Sequence, residues 1–238
     1  MNKQEIEKNW PNFDGVKALS PSSISKLLAY ILYGKVDKKR MQYAFKNGNE
    51  IERGFYSYHS LKEEGLDVKQ RYAFALMVCK SPKKRKDLAK LIFWFDKKYP
   101  TAKLLSYQRI VSKEPYACIL DFEFSVNGKV LIFDVKTNNR VYRTPLQSIM
   151  WDIQFYIQNY CTNTDVNYIW CNLDKDKDIT ITFDKWKYPN YDLKNLITLL
   201  KQVNSIIDWN EIDQILLDFH VEAMKDYFNR NNIKWEKE

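Results

Sequence analysis

Tyr116–Asn138 reads YACILDFEFSVNGKVLIFDVKTN, and its centre decides the fold. Asn127-Gly128 separates two runs rich in Ile, Leu, Val and Phe. An Asn-Gly pair is the strongest short-range hairpin signal, because a type I′ turn needs positive φ at both central residues. With a two-residue loop, Val126 pairs with Lys129, paired residue numbers sum to 255, and Asp121 falls opposite Asp134. Side chains alternate along a strand, so Ile119, Asp121, Glu123, Ile132, Asp134 and Lys136 share one face. Leu120, Phe122, Phe124, Leu131, Phe133 and Val135 form an unbroken apolar face for a core.

Opposed aspartates, with Cβ atoms about 4.5–5.5 Å apart, repel one another. In strands this apolar, the repulsion calls for a compensating charge. A divalent cation supplies one, since Mg²⁺ is bound through carboxylates, water and substrate phosphate. Lys136, a compact ammonium on the same face, suits a scissile phosphate or an attacking water. The competing reading makes both aspartates solvated charges on the open face of an edge hairpin, and for an arbitrary D-x-K tripeptide that reading prevails. Register, shared face and apolar strands together favour a site. The opposed pair also implies that Asp134→Ala stabilises the metal-free protein by relieving repulsion.

Outward from the hairpin, Lys103–Ser112 reads as a preceding strand joined through Lys113-Glu114-Pro115, and Val166–Leu173 and Ile179–Phe183 as later ones. Thr144-Pro145 opens a helix to about Tyr160. Upstream, a polar leader to Ala18 gives way at Ser20-Pro21 to a helix through about Tyr33. A second helix covers Asp37 to about Lys62, and helical periodicity continues to about Lys98 with breaks at Gly65 and Ser81-Pro82. Two long helices, about 189–235, close the chain. The expectation is one α/β domain over 1–238: a mixed central sheet, antiparallel meander plus further strands, flanked by helices, with a helical part over about 20–99.

The 38 Lys and Arg exceed 30 acids, giving +8, which fits a polyanionic partner. Cys79, Cys118, Cys161 and Cys171 form no C-x-x-C pair, so zinc ribbons and redox motifs lack their spacing. His59 and His220 are the only histidines, too few for a histidine-rich metal site. The longest apolar runs, such as Ala73–Cys79, are too short to span a bilayer. With no signal peptide at the lysine-bearing N-terminus, a cytoplasmic protein with reduced thiols and no membrane partner is expected.

Tyr116–Asn138 resembles the core of the PD-(D/E)XK nuclease superfamily and is most similar to its RecB-like branch, which includes CRISPR-associated RecB-like nucleases and phage recombination exonucleases. There a hairpin bears one Asp on its first strand and acid-x-Lys on its second. The resemblance implies a restriction-endonuclease-like core, with Asp121 and Asp134 binding metal, Lys136 catalytic, and the Val135 carbonyl a further metal ligand. On the helix from Asp37, Met41, Ala44, Phe45, Gly48, Ile51 and Phe55 form an apolar stripe that includes Glu52, with Glu50 opposite. Periodicity alone leaves open whether Glu52 sits at the margin or pairs with a lysine. The family places a Glu or His four residues after a Gly here, which makes Glu52 the third acid and Gly48 a close-packing position.

The helix from Pro145 buries Leu146, Ile149, Met150, Ile153, Ile157 and Tyr160, with Gln147, Trp151, Gln154 and Gln158 along one flank. The family's Q-x-x-x-Y motif implies that Gln154 supports the site; position 158 is Gln, so Tyr156 or Tyr160 would have to stand in for its tyrosine. Cys118 replaces the small residue, usually Gly, three before the first Asp. The cysteines match no iron–sulfur pattern, so no cluster is expected.

The function implied is hydrolysis of DNA phosphodiester bonds with Mg²⁺, Mn²⁺ substituting. An exonuclease of phage or mobile-element recombination or replication, acting on duplex ends or single strands, fits best. Gln147, Trp151 and Gln158 would offer unpaired bases stacking and hydrogen bonds. Lys83, Lys84 and Arg85 would guide the phosphate backbone, although such a run alone also reads as a solvated helix end. A homo-oligomer, or a recombination or single-strand-binding partner, is compatible with this. The alternatives are a sequence- or structure-specific endonuclease on the same fold, and an inactive DNA-binding protein that retains it.

Overall fold

The computed structural model describes residues 3–24, 38–137, 145–164, 166–173 and 179–185. The expected closing helices, and the first long helix beyond residue 24, lie outside the described residues. The chain first folds where the sequence reads as a polar leader. Helix α1 (Lys3–Lys8) is followed by a minimal hairpin of β1 (Asn12–Phe13) and β2 (Val16–Lys17). Asp14 and Gly15 turn it with φ of 50° and 84°, the positive values that an Asp-Gly turn supplies cheaply. Trp10 and Ala18 pack there with Ile6, Phe13, Ile110, Ala117 and Ile119. The leader is therefore a lid on the sheet, and that apolar contact is why it is ordered.

Helices α2 (Lys38–Glu63), α3 (Val68–Met77) and α4 (Pro82–Lys98) follow. Asp67 and Gln70 form a reciprocal capping box on α3, and Ser81 before Pro82 caps α4. α2 touches both, and a Cβ built on Gly54 would lie 2.3 Å from Leu88 Cδ2 and 3.0 Å from Ala75 O. Gly54 is thus a close-packing glycine of this helix; the side-chain position at Gly48, like those of Met41, Ala44 and Phe45, lies outside the described residues.

A five-stranded sheet follows in the order β3 (Lys103–Lys113), β4 (Tyr116–Val126), β5 (Lys129–Lys136), β6 (Val166–Leu173), β7 (Ile179–Lys185). All neighbours are antiparallel except β5 and β6. That parallel pair requires a crossover, and α5 (Pro145–Thr162) provides it, packing across β4 and β3. The hairpin register is the one derived: Val126 pairs with Lys129 and Phe122 with Phe133, with φ of 51° at Asn127 and 77° at Gly128. Phe122, Phe124 and Phe133 are buried against Phe55 of α2 and Phe95 of α4, the rings meeting edge-on at 5.2 Å for Phe55–Phe122 and 5.3 Å for Phe95–Phe133. No helix among the described residues is long and apolar enough to cross a membrane.

Candidate active site

β4 and β5 are interior strands, each paired on both sides, so the reading of Asp121 and Asp134 as solvated charges on an open edge hairpin is excluded. The β4–β5 ladder ends at Phe122–Phe133, and the next residues are the two aspartates. There the strands part company, and β5 pairs Asp134 with Tyr168 and Lys136 with Trp170 of β6. Asp134 is 0% exposed, and a hydrogen bond links its carboxyl to that of Asp121. Burial first, then the facing Asp134 and Glu52 charges, push the Asp121 carboxyl well above the usual carboxylate range, against the pull of Lys136. This is the behaviour of two carboxyls too close for both to ionise.

Lys136 Nζ lies 2.7 Å from Asp134 Oδ1 and donates to Gln154 Oε1 at 3.0 Å. Gln154 Nε2 donates to Asp134 Oδ2 at 2.7 Å. The amide of α5 therefore bridges ammonium and carboxylate, and only one of its two orientations satisfies both. Burial alone would lower the Lys136 pKa; Asp134, Asp121 and Glu52 outweigh it and hold the ammonium above its ordinary value. Asp134 Oδ1 is buried and makes no aligned hydrogen bond, so its contact with Lys136 is an ion pair by proximity. This pairing reverses the expectation that Asp134→Ala stabilises the metal-free protein, because truncation would strip a buried ammonium of its nearest partner.

Glu52 faces this cluster from α2. Gln108 Nε2 donates to its Oε1 at 3.2 Å, and the Tyr107 hydroxyl also bonds the carboxylate. Burial raises the Glu52 pKa; the Gln108 and Tyr107 bonds and Lys136 pull it down, while Asp134 raises it further. Glu50 instead meets Lys84 Nζ at 3.0 Å and the Lys80 N–H at 3.2 Å, so the helix phase separates the two acids as read. Tyr107 and Gln108 carried no signal in the sequence, where they sit inside an ordinary strand pattern. Cys118, three residues before Asp121, is a buried free thiol that donates a hydrogen bond to the Cys161 sulfur.

The flank assigned to unpaired bases is corrected. Trp151 is 9% exposed and Gln158 0%, with the Gln158 amide donating to Ile119 O at 3.4 Å. Ile153, Phe155, Tyr156 and Ile157 are buried too, so α5 is enclosed on more than one side and that flank faces protein. The side chain of Gln147 lies outside the described residues. Lys83 and Arg85 are exposed, but Arg85 Nε donates to Cys79 O at 3.0 Å, and Lys84 is engaged by Glu50.

The oxygens that could be offered to a cation are Asp134 Oδ1, buried without an aligned partner, the facing Asp121 carboxyl and Glu52 nearby. Among the described residues, no group of three or more His, Cys, Asp or Glu side chains is arranged so that it could hold a metal ion by itself. Val135 is buried and paired in register with Ile169. No family model matches the chain, and no curated protein matches it. Among solved structures it is similar to one described as "Crystal structure of SSO0001", at 14% identity and a TM-score of 0.30, over 79% of this chain and 86% of that one.

Proposed function

We propose that this chain is a metal-dependent nuclease that hydrolyses DNA phosphodiester bonds at the Asp121–Asp134–Lys136 cluster of a restriction-endonuclease-like core. The observation that carries the reading is the fully buried Asp134, facing a second carboxyl and ion-paired to Lys136 where the hairpin ladder ends. A structural ion pair needs one acid; the second acid, with Glu52 close by, is surplus unless a cation shares the place.

Asp121 and Asp134, with Glu52 and the Val135 carbonyl, would hold Mg²⁺ or Mn²⁺, which when bound polarises phosphate and lowers the pKa of water. The Lys136 ammonium, 2.7 Å from Asp134 Oδ1, would donate to a phosphate oxygen or orient the attacking water. Gln154 holds that ammonium in place. Away from the centre, Lys83, Lys86, Lys90 and Lys97 recur at helical spacing on α4 around Phe93, which is 66% exposed. This face suits a phosphate backbone with a ring for base stacking.

The test is a cleavage time course on end-labelled linear duplex and on closed circular DNA, with Mg²⁺, Mn²⁺ or EDTA. Divalent-dependent shortening of the linear substrate, with the circle spared, is expected. Cleavage by pure protein in EDTA, or none with any divalent cation, overturns the proposal; discrete fragments from the circle assign an endonuclease.

A further inference from the structure

Consecutive residues of a regular strand project to opposite faces, yet Tyr107 and Gln108 of β3 both bond the Glu52 carboxylate. The backbone at Gln108 permits this: its φ is +52°, in the left-handed region that few residues other than glycine, Asn and Asp occupy. The irregularity is local. Tyr107 pairs with Phe122 and Arg109 with Leu120 in one continuous register, which sets Gln108 opposite Asp121. Tyr107 is itself held, stacked on Tyr56 of α2 with ring centroids 4.3 Å apart and lying 5.2 Å from Phe122. A residue in such a conformation persists only where its surroundings over-determine it, and such residues gather at functional sites.

We propose that Tyr107 and Gln108 are positioning residues, a two-point clamp that fixes the Glu52 carboxylate relative to the Asp121–Asp134 pair, and that the left-handed turn at Gln108 exists to bring two consecutive side chains onto one acid. The catalytic consequence rests on the nuclease reading; the clamp itself does not. Bonding to the carboxylate from two directions removes its freedom to rotate away from the cluster, as outer-shell partners do for metal-binding acids.

The experiment compares Gln108→Gly with Gln108→Ala. Glycine accepts the left-handed backbone without strain while alanine does not, and both delete the amide. The glycine variant should melt at or above wild type in EDTA, yet lose about ten- to a hundredfold in kcat and need correspondingly more Mg²⁺ for half-maximal rate, with KM for DNA unchanged. The alanine variant should lose as much activity and melt lower, and Tyr107→Phe should lose part of it. Wild-type kcat and Mg²⁺ requirement in Gln108→Gly overturn the clamp and leave a merely architectural kink. A second readout needs no cleavage: melting of Gln108→Gly, Glu52→Gln and the double variant in EDTA should be non-additive, and additivity overturns the clamp. If wild-type protein cleaves nothing with any divalent cation, the nuclease reading falls, and the melting cycle still decides the clamp.

Discussion

Replacing Lys136 by Met tests the charge balance of the site. Methionine keeps most of the aliphatic stem and removes the ammonium, which stands 2.7 Å from Asp134 Oδ1 with the two side chains 14% and 1% exposed. Removing one partner of a buried pair leaves the other charge uncompensated, at about 3–5 kcal/mol. The Gln154 amide still donates to Asp134 Oδ2 at 2.7 Å, which argues for the lower end, about 3 kcal/mol. In a protein of this size each kcal/mol moves the melting midpoint by about 2–4 °C. Lys136→Met should therefore melt about 6–12 °C below wild type in EDTA. Without the ammonium, Asp121 and Asp134 form a more negative pocket, so Mg²⁺ should raise the variant's midpoint more than the wild type's as the cation is titrated. Circular-dichroism melting across a Mg²⁺ series reads both effects. A variant that melts with wild type in EDTA, or gains no more from Mg²⁺, refutes the reasoning.

His59 is buried with both ring nitrogens unpartnered, and burial first, then Lys62 and Arg71, push its pKa from 6.5 down to about 3. The unfolded chain therefore takes the proton first, and stability falls as pH drops from 6.5 towards 3, by about 2 kcal/mol at pH 5. His59→Leu should abolish that acid limb in urea unfolding at pH 7 and pH 5, and parallel pH dependence in the two proteins would contradict it. Glu52→Gln should slow cleavage at least about tenfold, while Glu50→Gln, whose carboxylate is engaged by Lys84, leaves initial rates unchanged; equal losses would show that helix phase does not select the acid. Gly54→Ala would drive a Cβ into Leu88 and should cost about 1–3 kcal/mol by overpacking, so an unchanged melting midpoint would count against that packing.

The hairpin and its opposed acids were legible because Asn127-Gly128 admits one register and strand alternation then fixes every facing pair. Helix phase separated Glu52 from Glu50, since the two differ by more than half a turn, but only the family resemblance singled Glu52 out as a third acid. The sequence pattern did not reveal how Lys136 and Gln154 fold back onto Asp134, because that depends on where α5 lands, a tertiary contact. For the same reason the Trp151 and Gln158 flank misled: one apolar stripe implies an exposed opposite side only when nothing else covers the helix. Asp14-Gly15 did carry a turn signal, but its strands are two residues each, too short for alternation to register. Gln108 had none, since its left-handed backbone is imposed by neighbours and not by its own side chain.

That kink has a consequence far from chemistry. Among the described residues β3 is an outer strand of the sheet, and an outer strand offers its spare amides and carbonyls to any passing chain. β3 breaks that offer twice, with a bulge at Leu105, between Leu104 and Ser106, and with the turned backbone at Gln108. An incoming strand meets only short stretches in register, and the exposed Lys103, Arg109 and Lys113 add charge along them. Among the described residues, the residue that reaches for Glu52 thereby also interrupts the edge that a further strand would need.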